Sequence, residues 1–359
     1  SDVMVTTLGA DLILSNGQAN RGTEIGSLTS NSTTYITAQD VAATGTLNIS
    51  GHSFGSASTG NVAVGTIQAQ GAATIDATVV AASLQTNDVT PIHATTTNDH
   101  IGAILIGGGL DSQTNGTITV LDNVLSASAT GNLAGDPTVR TIALDAKNLT
   151  STGGLAKIDS VSPWNLPGPV QSPTGGGLSD SNVQANFGGA TTISATVSVS
   201  AIGGLLTTGL TNGNLDVNDN SVSAAASGNV GYTSVALSGT DGAFSAGVSN
   251  TQYNANPING SATGVATDVL TLGGINHSTV VLTGNSLTAS GVADSATNSL
   301  TATGFATLVL GGGASNLPAG QNTHYDFGVP TFNNEVIGAL ALSNNQTNDG
   351  NGTALLKDS

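Results

Sequence analysis

Thr211–Asn229 reads TNGNLDVNDNSVSAAASGN, and Thr114–Asn132 reads TNGTITVLDNVLSASATGN. Aligned 97 residues apart, the two phrases agree at 11 of 19 positions. In the second copy Leu215, Val217, Val222, Ala224 and Ala226 alternate with polar or small residues. A period of two puts one set of side chains on each face of a strand. The alternation breaks at Asn218-Asp219-Asn220, residue types that accept left-handed backbone angles and make corners. Gly228-Asn229 supplies a second turn signal. The phrase therefore reads as strand, corner, strand, corner, with small inward residues suited to closely spaced sheets. A shorter echo, NSLTASG at Asn285–Gly291, recurs as NSLTATG at Asn298–Gly304. The chain reads as one built from imperfect repeats.

Glycine-closed apolar segments accompany the phrase: Ile104–Gly109, Ala201–Leu205, Leu270–Gly274 and Leu308–Gly313. A phosphate-cradling loop would need a following helix and usually a Lys. No Lys follows any of the four, so they read as strands that end in turns.

Of the 359 residues, 8% are charged, 3% aromatic and 38% hydrophobic, with 49 Gly. Ordinary domains are about a quarter charged. Clean alternation argues against disorder, and polarity here comes from Ser, Thr and Asn. Glu and Lys are scarce, so exposed helix formers are missing and at most one or two short helical turns are expected. The net charge is −17, and Arg21, Arg140, Lys147, Lys157 and Lys357 are the five cations. Nucleic-acid binding needs clustered Lys and Arg, which excludes that class of partner. The absence of Cys removes disulfides, iron–sulfur clusters and c-type haem, and leaves the compartment open. No apolar run approaches the ~20 residues of a membrane helix, so no transmembrane segment is expected. Ser1-Asp2 in place of Met fits either a removed export signal or a trimmed sequence.

In chain order, 1–160 reads as β-repeat, with short strands at Val3–Thr7, Asp11–Leu14, Thr34–Thr37 and Thr46–Ile49 and a strong module at 101–160. Residues 161–177, VSPWNLPGPVQSPTGGG, hold four of nine prolines and the only Trp, and read as a loop or linker. Trp164 is either a binding anchor or a cover for a core edge. From 178 to 359 the repeat resumes, with Thr192–Ile202 as its clearest strand (Ile193, Ala195, Val197, Val199 and Ala201 inward) and modules near 197–250 and 264–313. Asn254–Gly260 reads as a loop. The terminal segment 314–359 opens with Pro318, His324, Tyr325, Phe327, Pro330 and Phe332, and Thr353–Leu356 is a strand available to a neighbour.

The sequence holds no catalytic constellation, no cofactor site and no metal site, so the chain is not expected to be an enzyme. His52, His93, His100, His277 and His324 are scattered and read as loop residues. Asp216–Asn220 and Thr347–Gly352 offer oxygen ligands, so structural calcium is possible there; both also read as Asn/Asp corners whose stacked amides bond along an axis. Gly51-His-Ser-Phe-Gly55 matches a nucleophile elbow in letters, but Ser53 would need a helix after it. Asp136, Arg140, Asp145, Lys147, Lys157 and Asp159 form either an acidic-sugar site or a set of cross-strand ion pairs.

Gly60-Asn-Val-Ala63, followed by Gln68, is similar to the curlin repeat of bacterial amyloid fibres, although Gln68 stands one residue late; Gly131-Asn132-Leu-Ala134 keeps the first half of that pattern. As a whole, the Ser/Thr/Asn/Ala/Gly repeats resemble the β-strand-repeat surface proteins of bacteria, including adhesins and holdfast-anchor-like proteins. The resemblance implies a secreted, stacking β-protein of the cell surface. The resulting expectation is an elongated β-solenoid or β-helix, with ~20 residues per coil and a rod on the order of 85 Å. Tandem β-sandwich domains, divided near 161–177 and 254–263, are the alternative. The expected role is a structural filament, surface-layer or adhesin subunit that forms homo-oligomers, with surface glycans as a further partner. The alternative role is a carbohydrate-binding or polysaccharide-cleaving β-helix.

Overall fold

The computed structural model describes residues 7–9, 12–39, 46–88, 90–106, 117–151, 177–187, 192–206, 210–271, 275–310 and 340–357. Among them there is no helix, and every strand pairing is parallel; the one antiparallel contact is the isolated bridge Asp136–Val139. The chain visits the same sheets in the same order and returns to each in register. The first sheet stacks Leu12–Asn20, Val79–Asp88, Leu178–Phe187, Ala246–Asn254 and Leu340–Asn348. The second stacks Ile25–Ser30, Ile92–Thr97, Ile193–Ser198, Ile258–Thr263 and Gly352–Lys357. The third holds Thr33–Gln39, His100–Ile106, Ala201–Leu206 and Ala266–Thr271. The fourth holds Thr46–Ser50, Thr117–Leu121, Asn214–Asn218 and Thr279–Thr283. A fifth, wider sheet is organised on the 24-residue strand Ser221–Phe244, which pairs with Val124–Ala134, Ile142–Thr150 and Ser286–Thr303.

One return takes far more chain than the ~20 residues expected. Ile92 pairs with Ile193 and Ile193 with Ile258, 101 and 65 residues on. Strand, corner, strand, corner is only part of a circuit that crosses five sheets. With five strands at most in a column among the described residues, and about 4.8 Å between strands, their stack is on the order of 20 Å tall. The long rod is thus replaced by a short stack of wide circuits. Tandem sandwiches are not what the chain forms: their strands would pair antiparallel, and the 97-residue spacing is one circuit, with Thr117 opposite Asn214 and Ala127 opposite Ala224.

The alternation in the repeated phrase sets the core. Leu215, Val217, Val222, Ala224 and Ala226 are buried, as are Ile118, Val120, Leu125, Ala127 and Ala129 one circuit earlier. They form an apolar core with Ile92, Ile101, Ile193 and Ile202 from the second and third sheets. A second core gathers Ile75, Ile142, Leu149, Val235 and Phe244 of the fifth sheet against Val79, Leu178 and Val248 of the first. Between the second and fifth sheets, hydroxyls reach across to main chain: Thr96 Oγ1 donates to Ser126 O at 2.6 Å and Ser58 Oγ to His93 O at 2.7 Å. Such short side chains span only sheets that lie close together, which is why the facing residues are Ala.

Corners recur in register. Gly51, Asp122, Asp219 and Gly284 share a column and have φ of 70°, 55°, 53° and 65°. Asn31, Asn98, Val199 and Gly264 form another, at 56°, 55°, 48° and 59°. Only Gly, Asn and Asp take these angles easily, and all but Val199 are of that kind.

Several local expectations are corrected. Thr192–Ile202 is not one strand: it ends at Ser198, and Val199 is an exposed corner residue. Gly203 and Gly204 lie inside Ala201–Leu206 and do not close it. Gly131-Asn132 and Gly228-Asn229 do not end their strands. The alternation slips by one there, so that glycine and asparagine are both buried while pairing continues. A Cβ on Gly131 would meet the carbonyl oxygen of Gly228, so glycine is required by the close approach. Asn254–Gly260 is not a loop throughout: Asn254 ends one strand and Ile258–Gly260 open the next, so the corner is confined to residues 255–257. The NSLTASG and NSLTATG echoes lie along the single strand Ser286–Thr303 and do not stack on each other. Residues 161–176 with Trp164, and 311–339 with His324, lie outside the described residues. The strands flanking the first of these segments belong to the stack already described: Ile142–Thr150 to the fifth sheet, and Leu178–Phe187 to the first, where Leu178 pairs with Val79.

Candidate functional site

The two cores are separated by a seam of buried amides where the first and fifth sheets meet. Gln18, Gln85, Gln184, Gln252 and Gln346 stand in one column. Each Nε2 donates to the preceding Oε1: Gln85 to Gln18 at 3.0 Å, Gln184 to Gln85 at 2.8 Å, Gln252 to Gln184 at 2.8 Å and Gln346 to Gln252 at 2.6 Å. Two residues on, Asn20, Asn87, Asn186, Asn254 and Asn348 form a second column with the opposite sense. Asn20 Nδ2 donates to Asn87 at 2.9 Å, Asn87 to Asn186 at 2.8 Å, Asn186 to Asn254 at 3.2 Å and Asn254 to Asn348 at 2.9 Å. Facing them from the fifth sheet, Asn61 donates to Asn132, Asn132 to Asn229 and Asn229 to Asp294. Asn132 bonds across the seam as well, donating to Asn186 Oδ1 at 3.1 Å and accepting from Asn87 Nδ2 at 3.1 Å. A buried amide must find partners for donor and acceptor alike; stacking identical amides in register supplies both.

A shorter ladder at the corner, Asn123–Asn220–Asn285, realises the stacked-corner reading of Asp216–Asn220. Asn348 of the other oxygen-rich stretch belongs to the five-member column, and Asp349 accepts from Tyr253 Oη at 3.2 Å. Among the described residues no three His, Cys, Asp or Glu side chains cluster as a metal site requires.

At the two ends of the stack the ladders stop and apolar surface is exposed. Leu28 and Val62 are exposed on the first strands, and Leu282, Leu308, Leu342 and Leu355 on the last. Among the described residues Leu12–Asn20 and Leu340–Asn348 are the terminal strands of the first sheet, and Ile25–Ser30 and Gly352–Lys357 those of the second. Each presents a row of unpaired main-chain groups, a template for another strand.

Elsewhere, Arg140, Asp145, Gln70 and Thr301 line a shallow groove of about 580 Å³. Among the described residues, Asp136, Asp145, Arg140 and Lys147 form no ion pair with one another, which corrects the expected cross-strand pairing for these four. Asp136 instead accepts from Thr138 N and Oγ1, which holds its carboxyl below the usual range. Asp145 accepts from Ser238 Oγ and Gly71 N. Among the described residues, Arg21 and Asp88 form an ion pair at 3.8 Å. Lys157 and Asp159 lie outside the described residues.

His93 and His100 stand on strands and not on loops; His93 Nδ1 shares a 2.6 Å hydrogen bond with Ser194 Oγ. Ser53 opens a strand where an elbow needs a helix. Asn61 of the curlin-like segment sits in the seam, whereas Gln68 is exposed.

A smaller cavity of about 130 Å³ lies beside Leu14, Asn16, Asp180, Asn182, Tyr232 and Thr233. Asp180 shares its column with Leu14, Ala81, Val248 and Leu342. Burial pushes its carboxyl up to about 7, against hydrogen bonds from Ser234 N and Thr141. Asp294, at the end of the seam, is pushed up to about 6 by burial, against the bond from Asn229.

The seam carries a sequence signal that no catalytic or binding motif contains. Ser/Asn-x-Gln-x-Asn occurs at 16–20, 83–87, 182–186, 250–254 and 344–348. Its irregular spacing, 67, 99, 68 and 94 residues, hides it from a search at fixed period.

Fold and site together define an all-β protein of parallel sheets with no helix among its described residues, so none there is long and apolar enough to cross a membrane. No protein-family model, curated protein or solved structure matches the chain.

Proposed function

We propose that the chain is a β-solenoid with an architectural role: a secreted bacterial subunit that self-associates through its open strand edges into a filament, surface layer or adhesive coat. One observation carries this reading. Among the described residues both ends of the stack present unpaired parallel edges with exposed leucines, where soluble β-proteins normally shield such edges with charge, proline or a covering loop. The stacked Gly-Asn pairs at 60–61, 131–132 and 228–229 lend support to the likeness to stacking surface proteins. Electron microscopy of the purified chain over a range of concentrations tests the proposal. Regular filaments or sheets that grow with concentration are expected. Single particles at every concentration, with no higher species on sedimentation, would remove it.

The groove at Arg140 and Asp145 favours a second reading, binding of surface glycans, because it places a cation, a carboxylate and Gln70 around one concavity. Glycan screening of the protein against Arg140→Ala and Asp145→Ala variants decides it: binding that survives both substitutions counts against the groove.

A further inference from the structure

Unused hydrogen-bonding capacity at the two ends is complementary, and it fixes how two copies meet. Each interior glutamine of the seam donates twice, once to the glutamine before it and once to a carbonyl across the seam. Gln85 donates to Gln18 and Leu133 O, Gln184 to Gln85 and Val230 O, and Gln252 to Gln184 and Ser295 O. Among the described residues Gln18 makes only the second of these, to Val62 O at 2.7 Å, which leaves one Nε2 hydrogen unused. Gln346 makes only the first, to Gln252, and among the described residues its Oε1 accepts from no donor. The asparagine column ends in the reverse way: among the described residues Asn20 Oδ1 is unused, and Asn348 Nδ2 donates only to Gly350 O. One end of the stack thus offers a glutamine donor beside an asparagine acceptor, and the other a glutamine acceptor beside an asparagine donor.

We propose that Leu340–Asn348 and Gly352–Lys357 of one copy pair, in parallel and in unbroken register, with Leu12–Asn20 and Ile25–Ser30 of a second copy. The proposal rests on the self-association reading and specifies its geometry. Gln18 then donates to Gln346 of the neighbouring copy, and Asn348 to its Asn20, so both ladders run on from molecule to molecule. Two like ends brought together would set donor against donor and acceptor against acceptor.

The apolar residues agree independently. Leu28, Thr95, Thr196, Ser261 and Leu355 form one column. Its three inner members are polar, and its two end members are leucines 66% and 47% exposed. Head-to-tail docking sets these leucines side by side. It also lays Leu12 and Leu14 over Leu340 and Leu342, whose column mates Leu178, Ala246 and Val248 are buried. A third contact follows from the same register: Thr7–Leu8 falls beside Thr307–Leu308. The third and fourth sheets stop one strand short of the neighbour, so the first and second sheets carry the joint. Because the two faces differ, the contact does not close on itself and propagates as a filament.

The chain contains no Cys, which gives a direct test. Neighbouring parallel strands lie about 4.8 Å apart, within disulfide reach of roughly 4.4–6.8 Å between Cα atoms. Leu28→Cys and Leu355→Cys are purified singly, then oxidised alone and mixed. The mixture should give about tenfold more cross-linked dimer than either alone, and the double variant a ladder of multimers that reduction removes. Leu355→Asp, which leaves the bonds within the chain intact, should weaken association about tenfold or more without lowering the melting temperature. Filaments with no Leu28–Leu355 cross-link, or with efficient 28–28 cross-links in the single variant, would overturn this geometry and leave self-association standing. Absence of both filaments and cross-links would end the two together.

Discussion

At Val199 the chain accepts a residue that its backbone disfavours. Asn31, Asn98 and Gly264 fill the same corner in the other circuits, and Val199 holds φ 48° with its side chain exposed. A β-branched residue in the left-handed region costs roughly 1–2 kcal/mol, and no packing offsets it here. Val199→Gly or Val199→Asn should therefore raise stability by about 1 kcal/mol, read as a higher urea midpoint with an unchanged slope. Asp180 presents the reverse problem, an ionisable group in an apolar column. Its folded-state pKa, about 7, lies above the unfolded value of 3.8. A carboxyl shifted upward favours the folded state while protonated, so its contribution is fully present below about pH 4 and is lost as pH rises through about 7. The full cost of ionisation is on the order of 4 kcal/mol. Urea unfolding of Asp180→Asn should show a smaller drop in stability between pH 4 and pH 8 than the parent. An unchanged drop would place the pH dependence elsewhere, Asp294 being the next candidate.

The seam is the element on which the sheets register. Removing Asn132 strips partners from Asn61, Asn87, Asn186 and Asn229 at once. Each stranded buried amide costs roughly 1–3 kcal/mol, so Asn132→Leu should destabilise by about 3–5 kcal/mol despite adding apolar bulk. Asn48, exposed and bonded only to Ser50 Oγ, is the control: Asn48→Ala should stay within about 0.5 kcal/mol on the same urea curve. Sequence alone revealed the strands but not the circuit. Alternation at Leu215, Val217, Val222, Ala224 and Ala226 reports which face is buried, because that depends on neighbours two residues away. Which strand lies beside which depends on partners 65 to 101 residues off. Insertions between the sheets vary in length and blur that period. The amides carried the register throughout, yet a Gln or Asn has the same letter in a buried ladder as on a loop. Val199 misled for a related reason: it continues the alternation of Ile193, Ala195 and Val197, and nothing in the letters marks the corner. The unused donors at the ends were illegible, since they exist only once the columns are stacked.

Over the whole molecule, two long-range terms act. Because every ladder joins distant segments, closing a circuit costs chain entropy before pairing repays it, which places refolding in the slow range of seconds or longer. The second term is charge. A net −17 on each copy opposes end-to-end docking through repulsion that reaches across the joint. The contacts at the joint are amides and leucines, which salt does not screen. Added salt therefore removes the opposing term and leaves the favourable one: the Debye length falls from about 30 Å at 0.01 M to about 3 Å at 1 M. Sedimentation in sodium chloride over that range should show association rising steeply at first and levelling off once the screening length drops below the strand spacing. Lowering the pH toward the isoelectric point of about 4.1 discharges the same carboxylates and should promote association at low salt. Association that instead falls with salt would mean that ion pairs hold the joint, and would move attention from the Gln and Asn columns to Lys357 and the acidic residues near it.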